Sequence, residues 1–187
     1  MPCVLNSGRL LQCKDKIGGI KTIFIAEHSK FVTGIQINAD TPSTEEITAL
    51  PDLSPVIELF RYELSQAAGD FVETITSSVE NGTVFWNQVV NISLMQLTAA
   101  DRLALQNVAQ TRLALFVLDN NDNIWMVGQY DSAELTAGTA ATGTAKGDAN
   151  GYTLTFTATE KLPARRLKSY TTTPFDNMGT SVVSPAY

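Results

Sequence analysis

Few residues in this chain could do chemistry. It has one histidine and two cysteines in 187 residues. His28 follows Glu27 between two apolar runs, where a general base would need a nucleophile and an orienting acid in reach. No local pattern supplies them, so His28 reads as a turn residue. Asp119-Asn120-Asn121-Asp122-Asn123 alternates oxygen-bearing side chains as calcium loops do. Helix-loop-helix calcium loops also need glycine at the sixth position and a carboxylate at the twelfth. Ile124 and Tyr130 stand there, which leaves a hairpin turn as the reading. Gly138 and Gly143 are spaced like phosphate-loop glycines, but Thr144 replaces the required lysine. Glu45 and Glu46 sit in a proline-bounded loop without an aromatic platform for a sugar. Cys3, Cys13 and a single histidine are too few ligands for zinc, and the thiols read as reduced, small hydrophobes. No catalytic residue, metal or cofactor is expected.

The elements around these residues are mostly strands. Gly18-Gly19 opens an apolar strand over Ile20–Ala26, with a second, Phe31–Asn38, expected to pair with it. Residues 39–55 form a polar loop with Pro42, Pro51 and Pro55, and Val56–Leu64 reads as a strand. A long hairpin follows, Phe71–Val79 and Thr83–Met95, turning at Asn81-Gly82. On the return strand Val84, Trp86, Val90, Ile92 and Leu94 share one face, interrupted by Gln88. Thr98 with Asp101 three residues later has the capping-box arrangement, and predicts a helix over about 98–111. Its inner face would carry Ala104, Leu105, Val108 and Ala109. Leu103 lies off that stripe, as a surface leucine or a subunit contact.

Strands 113–118 and 123–128 are joined by the Asp119–Asn123 turn. Residues 136–149 are too small to build a core and must lie on a scaffold. After an Asn150-Gly151 turn, Tyr152, Leu154, Phe156 and Ala158 alternate with Thr153, Thr155, Thr157 and Thr159, the pattern of a strand with one buried face. Beyond Leu162-Pro163 the periodicity stops and residues 163–187 read as an extended arm. The expectation is a mainly β fold, a sandwich or barrel over residues 1–162 with one packed helix.

Charge narrows the partners. Hydrophobic residues make up 44% and charged residues 17%, so a sizeable core is available beneath a charge-poor surface. Residues 1–160 hold 9 basic and 18 acidic side chains; residues 161–187 hold 4 basic and 1 acidic. An acidic body lacks the basic stripe that grips phosphates. The basic arm could dock on an acidic neighbouring subunit. The opening Met1-Pro2-Cys3-Val4-Leu5 runs into polar residues, so neither a secretory leader nor a membrane span is expected. Synthesis in a cytoplasm is the expected setting, and the sequons at Asn81 and Asn91 read as turn and strand residues.

Three blocks together resemble a known family. They are C-x9-C-K-D-x-I-G-G-I-K-x-I-F-I-A (Cys3–Ala26), Leu97–Arg102 through Leu115–Asn121 to Trp125, and Thr136–Asp148 followed by Asn150–Phe156 and Glu160. In these, residues 1–160 are similar to tail tube-type virion proteins of crAss-like and related phages infecting Bacteroidetes. Residues from Lys161 onward are outside the resemblance. It implies a β-sandwich or barrel with a helix that stacks as six-membered rings, lines a genome channel and is assembled in the host cytoplasm. Its partners would be itself, other tail or neck proteins, and DNA passing without specific binding.

The expected acting residues are therefore interfacial: Asn81, Gly82 and Thr83 at the hairpin turn, Leu103 on the helix, Thr139, Thr142 and Gly143 in the small-residue tract, and Arg165, Arg166, Tyr170 and Phe175 in the arm. A neck or tail-terminator ring shares fold and symmetry with a tube. A β-sandwich carbohydrate-binding module is the alternative from another class, although Trp86 and Trp125 fall inside predicted strands rather than on loops.

Overall fold

A computed structural model describes residues 14–37, 45–51 and 58–178. In chain order the elements are β1 (Ile20–Glu27), a 3-10 turn (His28–Lys30), β2 (Gln36–Ile37), β3 (Ile47–Ala49), β4 (Phe60–Glu63), β5 (Gly69–Ser78) and β6 (Thr83–Met95). They continue with α1 (Ala99–Gln110), β7 (Leu113–Asp119), β8 (Ile124–Val127), β9 (Glu134–Ala141), β10 (Gly151–Glu160) and β11 (Arg165–Arg166). Three antiparallel sheets result: β11-β8-β7-β1-β4, β5-β6-β10-β9, and the small pair β2-β3. The fold is mainly β with one helix.

Two strand patterns explain the layering. β7 (LALFVLD) is buried at every position but its last, because its sheet is covered on both faces, and such strands read as continuous apolar runs. Ile23, Ile25, Leu115 and Val117 meet Val90, Ile92, Leu154 and Phe156 of the four-stranded sheet. On the opposite face Phe24, Phe116, Ile124 and Met126 pack with Phe31, Ile47, Leu59, Leu167, Phe175 and Met178. β10, by contrast, buries only its even-numbered residues, since its sheet is covered on one side. Each large apolar side chain removed from water contributes about 1.5–3 kcal/mol, so the doubly covered sheet dominates stability.

The second face is covered by the C-terminal segment, which corrects the expected extended arm over 163–178. The Phe175 ring stands edge-on to Phe24 and Phe116 at centroid distances of 5.0 and 5.4 Å. Phe175 and Met178 are each 2% exposed. The sequence hides this because Leu167, Phe175 and Met178 are isolated anchors with no strand or helix period between them. Residues 179–187 lie outside the described residues, as do Cys3, Cys13 and Pro42.

One further expectation changes. Among the described residues of Phe31–Asn38, only Gln36–Ile37 is strand, and it pairs with β3, while β1 lies between β4 and β7. Phe31 instead plugs the outer core, its ring 5.4 Å from Phe116. The scaffold expected beneath the small-residue tract is the chain's own sheet for its first part, since Glu134–Ala141 is a full strand paired with β10. Small side chains suffice there because the backbone ladder holds the strand.

Candidate assembly surface

The four-stranded sheet ends in β5 on one side and β9 on the other, and among the described residues no strand pairs with the outer edge of either. An unpaired edge offers a row of backbone donors and acceptors to another chain, and soluble proteins usually blunt it with lysine, proline or a covering element. β5 (GDFVETITSS) and β9 (ELTAGTAA) carry neither residue.

The β5–β6 hairpin also outruns the sheet beneath it. Toward its tip Ile75 is 63% exposed, Val84 49% and Val79 95%, with Phe85 also open to solvent. The turn is the expected Asn81-Gly82: Gly82 takes φ +62°, and the Asn81 N–H donates to Ser78 Oγ. Asn81, Gly82 and Thr83 are all exposed.

The register defines the outer face of this sheet. Thr153, Thr155, Thr157 and Thr159 stand opposite Ser93, Asn91, Val89 and Asn87. Thr74 and Thr76 extend the face along β5, and Thr139 along β9. Its only charged positions on these strands are Asp70, which accepts from Asn91 Nδ2, and Glu134. Thr155 Oγ1 donates to Asn91 Oδ1 at 2.9 Å and Thr136 Oγ1 lies 2.9 Å from Thr157 Oγ1, knitting the face across strands. The result is a broad face rich in hydroxyls and amides, with Val72, Phe85 and Met95 exposed among them, nearly charge-free on an acidic protein.

The remaining expected contact residues divide into two groups. Leu103 is 64% exposed on α1. That helix buries no residue fully, resting Leu105 and Val108 on the inter-sheet core. Its cap is as expected, Thr98 Oγ1 accepting from the Asp101 N–H at 3.0 Å. Thr139, Thr142 and Gly143 are exposed too. Gly143 has φ +72°, and a Cβ there would meet the Asp148 side chain. The N–H groups of Ala145 and Thr144 hold the Asp148 carboxylate below its ordinary pKa.

The other group is committed inside the chain. Arg165 is 8% exposed and bonds Glu45, Gln129 and Tyr130. Arg166 pairs with Glu46 and donates to Asn123 Oδ1. Tyr170 packs against the outer core and donates to Asp122 Oδ1, and Phe175 is core. These four serve the fold of the single chain, where the sequence placed them at subunit contacts. Glu45 and Glu46, read as solvated, are their ion-pair partners.

One polar cluster escaped the sequence reading. Gln88, Gln129, Ser132, Glu160, Arg165 and His28 are all buried where the 128–133 loop crosses between the sheets. Glu160 Oε1 accepts from the N–H groups of Tyr130 and Asp131 at 2.9 and 3.1 Å. Burial raises the Glu160 pKa, and those two N–H groups partly oppose it. His28 Nε2 lies 3.2 Å from the Gln129 carbonyl oxygen, and the Gly128 N–H donates to Gln88 Oε1. Glu160 Oε2 and Ser132 Oγ have no hydrogen-bond partner among the described residues. The only advance signals were the interruption of the apolar face at Gln88 and the glutamate closing β10.

The Asp119 turn is likewise structural. Asp119 Oδ1 accepts the N–H groups of Asn121 and Asn123 at 2.8 Å, and Oδ2 accepts Asn123 Nδ2 and Trp125 Nε1. Asn120 and Asn121 donate to the carbonyls of Gly18 and Ile17. Lys21 lowers the pKa of Asp122 through a 2.7 Å ion pair. Among the described residues no group of three or more His, Cys, Asp or Glu could hold a metal, and no helix is long and apolar enough to cross a membrane.

The chain matches no family model, and no curated protein matches it. Its surfaces must therefore speak for its function, and the chemistry they offer is association: open backbone edges, an apolar hairpin tip and a neutral polar face.

Proposed function

We propose that this chain is a phage virion structural protein that closes into rings stacked as a tail tube around the genome. The observation that carries this reading is strand parity in the four-stranded sheet. Successive pairings are antiparallel, so the two free edges, β5 and β9, run in opposite directions. Copies related by rotation about an axis would set β5 of one beside β9 of the next in antiparallel order. The contact is heterologous, and it closes into a ring when the rotation divides a full turn. Backbone hydrogen bonds would then be satisfied at both edges of the four-stranded sheet, as in a barrel.

In this arrangement the hydroxyl and amide face lines the lumen. DNA passing along it meets neither the cations that would hold phosphates nor a dense negative wall. The β5–β6 hairpin tip, apolar and projecting past its own domain, would reach the adjacent ring. The six-membered symmetry and the virion location rest on the family resemblance of residues 1–160. A neck or terminator ring would use the same edges, and copy number per particle separates it from a tube.

Electron microscopy of the purified, concentrated chain tests the proposal, with rings or tubes expected. A monomer at high concentration whose β5 and β9 edge amides are already protected from hydrogen exchange would overturn it. Saturable sugar binding by that monomer on a glycan array would favour the carbohydrate-binding alternative.

A further inference from the structure

We propose that residues 165–178 are a releasable strap, a peptide ligand the fold carries for itself, and that the cradle beneath it accepts the same segment from a second copy. This goes beyond the ring reading and does not depend on it. The cradle is Glu45-Glu46-Ile47, which runs beside Arg165-Arg166-Leu167 in matching order. Glu45 Oε2 meets Arg165 Nη2 at 2.6 Å, Glu46 pairs with Arg166, and Ile47 forms a parallel bridge with Leu167. The Lys168 N–H donates to the Ile47 carbonyl and the Leu167 N–H to that of Ile124, both at 2.8 Å. Two acids face two bases in register, so the cradle selects its occupant by charge as well as by shape.

The strap arrives partly preformed. The Asp176 carboxylate accepts the N–H groups of Thr171, Thr172 and Thr173 and the Thr171 hydroxyl. All of these partners lie within the strap, so the bend that presents Phe175 does not need the cradle to hold it. A ligand shaped in advance loses less freedom on docking. Closure depends on the cradle for the rest. Phe175 itself has φ +71°, a conformation unfavourable for a residue with a side chain, and it is the ring's seat against Phe24 and Phe116 that compensates.

The tether is slight. Residues 161–164 join β10 to the strap, and the hydrogen bonds that hold them run from the Ala164 N–H to Glu73 Oε1 and from Gln88 Nε2 to the Leu162 carbonyl. β11 is two residues long at a sheet edge. The strap's contacts are thus long-range and separable, the condition under which identical segments can exchange between copies.

Two measurements test this. In the native full chain, the Leu167 and Lys168 amides should exchange at least about ten-fold faster than those of β7, and the gap should widen with added salt, which reaches these pairs through the exposed Glu45 carboxylate and the partly exposed Arg166 and Glu46. Equal rates for strap and β7 would overturn the separable strap, whether or not any variant folds. For the second copy, full-length Arg165→Glu/Arg166→Glu chain should bind a labelled peptide of residues 163–178, read by fluorescence anisotropy. Binding should be at least about ten-fold tighter than to the native chain, whose cradle is occupied, and lost with Phe175→Ala in the peptide. A folded variant that ignores the peptide, or binds the Phe175→Ala form equally well, would overturn exchange.

Discussion

The two large sheets are built from similar strands and left in opposite states. The five-stranded sheet is sealed: one face lies on its partner sheet and the other under the strap, with Phe24, Phe116 and Met126 at most 2% exposed. Both sheets end in strands with no outer partner among the described residues, but the four-stranded sheet is sealed on one face only and the end of its hairpin stays open. One sheet stabilises the chain; the other has surface to spare for a partner. Substitutions in the two should therefore separate stability from association.

The largest effect is expected at Phe116. Phe116→Ala removes a fully buried ring touching Phe31 and Phe175 and should cost about 3–5 kcal/mol, measured by denaturant unfolding. Ile75→Lys on the open hairpin should do the reverse. Unfolding free energy should stay within about 0.5 kcal/mol, the usual range for exposed positions, while rings or tubes disappear from electron micrographs. Comparable losses of stability for the two variants would end the contrast.

Smaller effects sharpen it. Thr98→Ala removes the helix cap and should cost about 1 kcal/mol by thermal unfolding. Glu160→Gln tests the polar cluster through pH. The folded-state pKa of Glu160 lies above its unfolded value, so the native state holds that proton more tightly. Its contribution favours folding in acid and is lost as pH rises through the folded value. Glu160→Gln should therefore be the more stable chain at neutral pH, with the difference shrinking below the ordinary glutamate range. A difference that grows in acid would contradict this.

Much of the architecture was legible because periodicity carries it. β10 alternates apolar and threonine residues, β7 is an unbroken apolar run, and Thr98 with Asp101 marks the helix start, so these elements lie where the sequence puts them. The strap was illegible for the same reason: Leu167, Phe175 and Met178 obey no period, and the ion-pair partners of Arg165 and Arg166 are 120 residues away. The open surface was half legible. Asn81-Gly82 announced the hairpin, and Thr139, Thr142 and Gly143, named as contacts, are exposed, but the neutrality of the outer face emerges only once β5, β6, β10 and β9 are laid side by side.

The register shift between Thr155 and Phe156 where β10 meets β9 bears on size rather than on identity. An even number of strands per copy alternates correctly around a ring of any membership, so hydrogen bonding alone does not count subunits. Curvature has to do the counting, and an irregularity of this kind is where a strand bends. In the proposed ring, straightening it would leave copies joining edge to edge, in closed circles of a different circumference.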